Sequence, residues 1–524
     1  MLTKFMRHKI FEPVLLFGAA ALLFYVGAQI EAFELLTEFM ESHEDWQLDE
    51  IFLAVVLLGS AGYIYAFRRQ IEKQKEIQKR LSVESDLDWL SKHDHLTKLP
   101  NRHYLAEFVK RIGADVAERQ DIEFGVIALD LDGFKKANDL MGHAAGDALL
   151  QEVARRIQSQ SAVKLVFRLG GDEFLAITDL KNSPDTKEVA RDLQTALLEP
   201  YVIDEAVSRI GVSIGISEFP ADAASLQEVI HCSDLAMYYA KRSGGNDIVE
   251  FEPSMVELHH QRTQLEQDLI QAIADNQIKP HYQPLVDLTK EEIRGFEVLA
   301  RWTHPVQGNI PPDMFIKVAE EIGVITELSD SIFRQACQDA LDWPQHMILS
   351  FNLSPLQLSD QLISQRLIDI LAETGFPPSR LVVEITESAL VHDFDAASLA
   401  LGKLREAGIQ VALDDFGTGY SNLSQLSKLQ FDSIKIDRSL ISNFTRDEKQ
   451  IGIVRTILAL SEGLGMYATA EGIEDEDQLA TLRELGCECG QGFFLGRPIG
   501  AEATHELLKT IEQVGSKKAI ATLT

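Results

Sequence analysis

The feature that most constrains this chain is a polar punctuation repeated through its second half. From about Gln261 onward, apolar runs of strand length alternate with helical stretches, and each run ends on a polar residue. EIRGFEVLARW carries Glu297 and Arg301, MILSFNLSP carries Asn352, and LVVEITES carries Glu384 and Glu387. IQVALDDFGTG follows with Asp414 and Asp415, FDSIKIDRSL with Lys435 and Asp437, and GMYATAEGIE with Glu471 and Glu474. Repeated βα units predict a barrel of parallel strands, in which chemistry sits at the C-terminal strand ends. Acids in one or two such units would only mark where strands meet water. Six, each with its polar group at the same point, predict a shared acidic rim. Such a rim repels itself and raises its own carboxyl pKa values unless cations sit among the acids. With two divalent ions it becomes a site for in-line attack on a phosphodiester.

The preceding segment, from Trp89 to about Phe251, has a different rhythm. FGVIALDLDGF (124–134) reads as a strand ending at Asp130, and AGDALLQEVARRI (145–157) places Leu149, Leu150, Val153 and Ile157 on one helical face. AVKLVF, the turn RLGGDEF and LAIT read as a β-hairpin. Two glycines at a hairpin tip permit positive φ and let backbone approach a ligand closely. With Asp172 and Glu173 just after them and Asp130 on another strand, the residues suit a hard-oxygen site for Mg²⁺ and phosphates.

Both halves resemble known families. DHLTKLPNR (94–102), DLDGFKKAND (130–139), GHAAGD (142–147), RLGGDEF (168–174) and AMYYAKRSGGN (236–246) resemble the GGDEF domains, diguanylate cyclases of palm-like α/β fold that join two GTP molecules into cyclic di-GMP. The resemblance implies that Asp130, the Leu131 carbonyl and Asp172 hold the metal and that Glu173 lies in the active loop. Asn138 and Asp147 would read guanine, and Lys135 and Lys241 would meet phosphates; these roles match an amide or carboxylate for a base edge and an ammonium for phosphate. Two departures stand out. Gly245 occupies a position where many relatives carry Arg, and Ser161 and Lys164 replace the RxxD element of product inhibition.

From Gln261 to Ile511 the chain resembles the EAL domains, cyclic di-GMP phosphodiesterases with a TIM-like barrel. EVLARW (with Val298 for the usual Ala), FNLSP, EITES, DDFGTGYSNL, KIDRSL, AEGIE and CGQGFFLGRP carry the resemblance. It implies Glu297, Asn352, Glu384 and Asp414 around one metal, with Asp414 shared and Asp415 completing a second. Glu471 would act through water on the metals, Lys435 would stand near the attacking water and scissile phosphate, and Gln491 would hydrogen-bond the nucleophile region. Arg301 would hold a substrate phosphate, Asp437 and Glu474 would orient their neighbours, and Glu387 would brace the DFGTGYSNL loop, which in relatives also shapes a dimer contact. The implied product is linear pGpG. Mg²⁺ and Mn²⁺ both suit such a site.

The N-terminus predicts a membrane hairpin. Val14–Ile30 and Ile51–Phe67 are apolar and uncharged, each near the ~17-residue lower limit for a span. Lys and Arg flank their outer ends while Glu31–Glu50 is acidic, which puts both chain termini in the cytoplasm. The expected organisation is a two-helix transmembrane hairpin with a short periplasmic loop (1–67), a helical linker (68–90), a palm-like GGDEF domain (91–252) and a TIM-like (β/α) barrel EAL domain (260–511), as a homodimer at the bacterial inner membrane. The formal net charge of −32 in 524 residues excludes a phosphate-backbone binder of nucleic acid. Four cysteines make no disulfide framework, and Cys487 and Cys489, a lone CxC, read as structural and reduced. The expected partners are cyclic di-GMP, GTP and the membrane. The leading expectation is a phosphodiesterase whose GGDEF half is a GTP-binding regulator or an active cyclase. Its alternatives are a bifunctional enzyme or net cyclase, and a nucleotide receptor without turnover.

Overall fold

A computed structural model describes residues 22, 25, 26, 28, 32–42, 48–118, 123–180, 185–203, 206–392, 394–417, 429–442 and 444–514. Most of the first expected span, Val14–Ile30, lies outside these residues. The second, Ile51–Phe67, and the expected linker form one continuous helix, Leu48–Lys92. Among the described residues no helix is long and apolar enough to cross a membrane, so the two-span hairpin is not part of the fold described here. The apolar run is nevertheless bare: Leu53, Val55, Leu57, Leu58, Tyr63 and Tyr65 are all exposed.

The chain divides into two compact units, with the boundary between Met255 and Val256. The first is built on β1 (Phe124–Asp132), β2 (Val163–Gly170), β3 (Glu173–Asp179), β4 (Tyr201–Ile203), β5 (Ala206–Ser208), β6 (Gly211–Phe219) and β7 (Ile248–Glu250). Five of these make a sheet in the order β2-β3-β1-β6-β7, with β1 antiparallel to both neighbours. Because β1 is covered on both faces, it reads as a continuous apolar run rather than an alternating one. Ile127, Leu129 and Leu131 join the helices His143–Gln158 and Thr186–Leu198 in one core. Val126 and Ala128 join Leu105, Phe108, Val229 and Met237 in the other. The strand runs two residues past the expected end at Asp130, because Leu131 and Asp132 still pair with β6.

The second unit holds β8 (Ile278–Asp287), β9 (Glu292–His304), β10 (Gly308–Ile310), β11 (Ile348–Leu353), β12 (Leu381–Thr386), β13 (Gln410–Phe416), β14 (Ser433–Ile436), β15 (Tyr467–Ala470), β16 (Cys489–Gly490) and β17 (Ile499–Gly500). Strands β9, β11, β12, β13, β14, β15 and β16 pair in parallel, and β8 closes the ring by pairing with both β9 and β16. The ring is eight-stranded. It is not all parallel, as the repeated βα rhythm predicts: β8 runs antiparallel to both neighbours. The cause is local. Asp287 Oδ1 accepts from the backbone N–H groups of Thr289 and Lys290, folding the chain into a tight turn that pairs Asp287 with Glu292. Strands joined by so short a turn can only be antiparallel, since a parallel crossover needs a dozen residues or more.

Candidate active site

The acids of the second unit converge. In a regular strand, neighbouring side chains point to opposite faces, so Asp414 and Asp415 should diverge. They do not, because β13 is bulged between Leu413 and Phe416 and Asp415 adopts φ 55°, in the left-handed region. Bulges beside active sites re-aim side chains in this way. Oxygens of Asp414, Asp415 and Glu471 consequently lie within 4.8 Å of one another. The backbone N–H of Asp415 also donates to Asp414 Oδ1 at 2.9 Å.

Lys435 stands at the centre of this rim, 2% exposed. Its Nζ lies 2.6 Å from Glu471 Oε1, 2.8 Å from Glu384 Oε2, 3.3 Å from Glu297 Oε2 and 3.5 Å from Asp414 Oδ1. Burying an ammonium costs several kcal/mol. At an effective dielectric of about 20, one opposite charge about 3 Å away returns roughly 5 kcal/mol, so the carboxylates win. Burial works against the charged lysine, yet Glu297, Glu384, Glu471 and Asp414 hold its pKa well above the ordinary value.

The acids divide the benefit unequally. Burial works to raise Glu297, but the Lys435 charge and the amides of Gln491 (Nε2 to Oε2, 2.6 Å) and Asn352 (Nδ2 to Oε1, 2.6 Å) bring it below the usual carboxylate value. Glu384 is pushed well up by burial, reinforced by the charges of Glu297 and Asp414. Burial also raises Asp414 and Asp415, and lifts Glu471 to about 8. One ammonium is too little for five carboxylates.

The remaining expected residues fall into place less uniformly. Arg301, on β9, lines a cavity of about 450 Å³ with Asn352, Asp313, Ile316 and Gln357 beside the rim. Asp437 caps the short helix Arg438–Ile441 by accepting from Ser439 N at 2.9 Å. Glu474 is held through its backbone N–H, which donates to Gln478. Glu387, 3% exposed, accepts from Gly417 N at 3.4 Å; the rest of the loop it is expected to brace, residues 418–428, lies outside the described residues. Two contributors are missing from the sequence reading. Gln283 on β8 accepts from Gln491 Nε2 at 3.0 Å, and Ser350 on β11 donates to Glu384 Oε1 at 2.5 Å. Only the second left a signal: Ser350 and Asn352 are the alternate polar positions of an otherwise apolar strand.

In the first unit the hairpin β2–β3 turns at Gly170 and Gly171, both at positive φ, with Asp172 and Glu173 at its tip. Cross-strand pairing sets Asp130 opposite Glu173. Asp130, 5% exposed, is bonded by Lys241 Nζ at 2.7 Å, so the lysine expected to meet phosphate here meets a carboxylate. Burial raises Asp130 despite that lysine, and burial together with Asp234 and Asp130 raises Glu173. Asn138 and Asp147 flank Gly146, where a Cβ would sit 1.6 Å from Asn138 Oδ1, so the glycine makes room for the amide. That Oδ1 is buried with no donor among the described residues. Lys135 and Asp147 are exposed. Gly245, at φ 74°, packs against Asp132, whose carboxylate also accepts from Ser213 and from the backbone of Asn246. All four cysteines are buried free thiols, with Cys487 pushed up to about 12 by burial.

Comparison with known proteins agrees with this division. The family profile "Diguanylate cyclase, GGDEF domain" matches residues 91–247 and the profile "EAL domain" matches residues 266–498. An uncharacterised signalling protein of Caulobacter vibrioides is 41% identical over 436 residues, covering 82% of this chain and 53% of that protein. The bifunctional diguanylate cyclase/cyclic di-GMP phosphodiesterase MucR of Pseudomonas aeruginosa is 38% identical over 422 residues, covering 80% of this chain and 62% of its own length. An uncharacterised protein of Mycobacterium bovis is 34% identical over 444 residues, which is 83% of this chain and 70% of that one. The chain thus spans little more than half the length of the first of these relatives.

Proposed function

Because the chain belongs to the family that joins a GGDEF domain to an EAL domain, we propose that its second unit hydrolyses cyclic di-GMP to linear pGpG. The observation that carries this reading is the rim itself, where four carboxylates contact the buried Lys435 and Asp415 adjoins two of them, beside a cavity bearing Arg301. The donor set fits divalent cations. It is all hard oxygen, and carboxyl groups held up by burial, as Glu384, Asp414 and Asp415 are, gain most from further positive charge. Glu297, Asn352, Glu384 and Asp414 would hold one ion and Asp415, sharing Asp414, the other. Bound Mg²⁺ or Mn²⁺ would supply Lewis acidity toward the phosphate and toward water.

The chain's own groups do the rest. Arg301 binds a phosphate oxygen and fixes the dinucleotide against the apolar wall of its cavity. Lys435 places its ammonium where charge builds on the scissile phosphate. Glu471, 2.6 Å from Lys435, would take up the proton released as water attacks. Gln491 keeps Glu297 in place.

The first unit is a GTP-binding regulator or a diguanylate cyclase, a reading supported by its intact Gly170–Glu173 turn. Asp130 and Asp172 would hold Mg²⁺ there, and Lys241 would exchange Asp130 for a phosphate. The test is turnover of cyclic di-GMP and of GTP by the purified full chain with Mg²⁺ or Mn²⁺. Glu297→Ala should cost hydrolysis about 10³-fold or more and leave GTP consumption intact, while Asp172→Ala should do the reverse. Hydrolysis that survives Glu297→Ala ends the proposal. Attachment to the bacterial inner membrane through the uncharged Ile51–Phe67 run, and pairing of two chains along the exposed Ile77, Leu81, Leu87 and Leu90, belong to the same proposal. Membrane fractionation and light scattering test them.

A further inference from the structure

Strand β11 lies between β9, which carries Glu297, and β12, which carries Glu384. Its inward positions alternate. Asn352, opposite Glu384 in register, turns the other way and donates to Glu297 Oε1 at 2.6 Å. Ser350, one inward step deeper and opposite Glu297, donates to Glu384 Oε1 at 2.5 Å. A single strand therefore grips the carboxylates on both its neighbours, one with an amide at the mouth and one with a hydroxyl below it. Ser350 is 1% exposed and Glu384 is 2% exposed, so both partners are shut off from bulk solvent.

We propose that Ser350 is a positioning residue for Glu384, fixing the rotation of that carboxylate so that Oε2 alone is presented to the rim and to the cation it holds. The geometry leaves little else for the hydroxyl to do. Glu384 Oε2 faces Lys435 at 2.8 Å, on the side of Glu297 and Asp414, while Oε1 faces down toward Ser350. Below them is a cavity of about 30 Å³ lined by Ser350, Ser433, Thr469, Val382 and Cys489. Without the hydroxyl, Oε1 would lose the one hydrogen bond described for it, and the carboxylate could swing about its last torsion. Groups that orient a metal-binding carboxylate from behind are worth about 10–100-fold in metal affinity.

The inference rests on the phosphodiesterase reading, and its test separates the two. Mn²⁺ binding to the purified full chain carrying Asp172→Ala, which removes the cation site proposed for the first unit, is followed by electron paramagnetic resonance without nucleotide, alongside thermal unfolding and the split of kcat from KM for cyclic di-GMP. Ser350→Ala should weaken Mn²⁺ binding about 10–100-fold and lower kcat. KM should stay put, because Ser350 lies outside the cavity that holds Arg301. Ser350→Thr keeps the hydroxyl and has the cavity to receive its methyl, so it should restore binding to near the parent value. Ser433→Ala, which lines the same cavity, is the control for packing and should bind as the parent does. Parent-like Mn²⁺ binding by Ser350→Ala overturns the inference, as does equal loss in the Ala and Thr variants. A parent chain that binds no Mn²⁺ overturns the phosphodiesterase reading, and the inference with it.

Discussion

The two acidic sites each use a lysine, and they differ in how much water reaches it. The Lys435 side chain is 3% exposed and touches four carboxylates, whereas that of Lys241 is 52% exposed and pairs with Asp130. The first is a sealed arrangement whose charges must balance within the protein. The second pairs a half-exposed lysine with a buried aspartate, so water can compensate the lysine when it changes partners but not Asp130. Burial, more than the choice of residues, separates a preset cluster from one completed by its ligand.

The comparison breaks most readily at the lysines. Lys435→Met leaves buried carboxylates without their counter-charge, so the metal-free second unit should lose about 3–5 kcal/mol, part of it returned by Mg²⁺. Lys241→Met should cost the first unit less, about 1–2 kcal/mol, because it leaves one buried carboxylate, Asp130, and not four. Urea unfolding with and without chelator reads both, and equal losses would remove the distinction. A smaller effect sharpens it. Burial holds Glu471 protonated up to about pH 8, and a protonated carboxyl competes with a cation. Mn²⁺ affinity should therefore rise by as much as about tenfold per pH unit toward pH 8. An affinity flat across this range would contradict the burial argument.

The smallest effect belongs to the open unit. Glu152 is brought to about 2, chiefly by hydrogen bonds from Arg155 and then Arg156, against some burial. Its folded pKa lies below the ordinary carboxylate value, so its stabilisation is complete above that value and fades as pH falls toward 2. Partial exposure reduces its worth to about 1 kcal/mol. Glu152→Gln should flatten the acid limb of the first unit's stability by that amount.

Much of this was legible in the chain because short-range chemistry decided it. Gly170 and Gly171 announce a hairpin tip, and the apolar face Leu149, Leu150, Val153 and Ile157 announces its helix; both stand in the fold. The repeated polar strand ends announce the rim. What escaped was set by pairing at a distance. The direction of β8 depends on a turn whose signal, Asp287 ahead of Thr289 and Lys290, is that of any loop. The bulge at Asp414–Asp415 follows from how β13 meets β14. Gln283 became a partner of Gln491 only when the ring closed. Asp437 carried the signature of a helix cap, a small acceptor ahead of a helix, which competes with its expected role in the site.

The reversed β8 has a mechanical meaning. Its first residue, Ile278, pairs with Trp302, beyond Glu297 and Arg301 toward the rim, and its last, Asp287, turns back at the far end. The polypeptide therefore enters this barrel at the mouth where the acids gather, like a rope tied to the lip of a bucket instead of its base. The entering helix, Ser254–Ala274, sinks Leu265, Leu269 and Ala272 into the barrel core on its way to that mouth, so a shift of the helix would bear on the end where the acids lie.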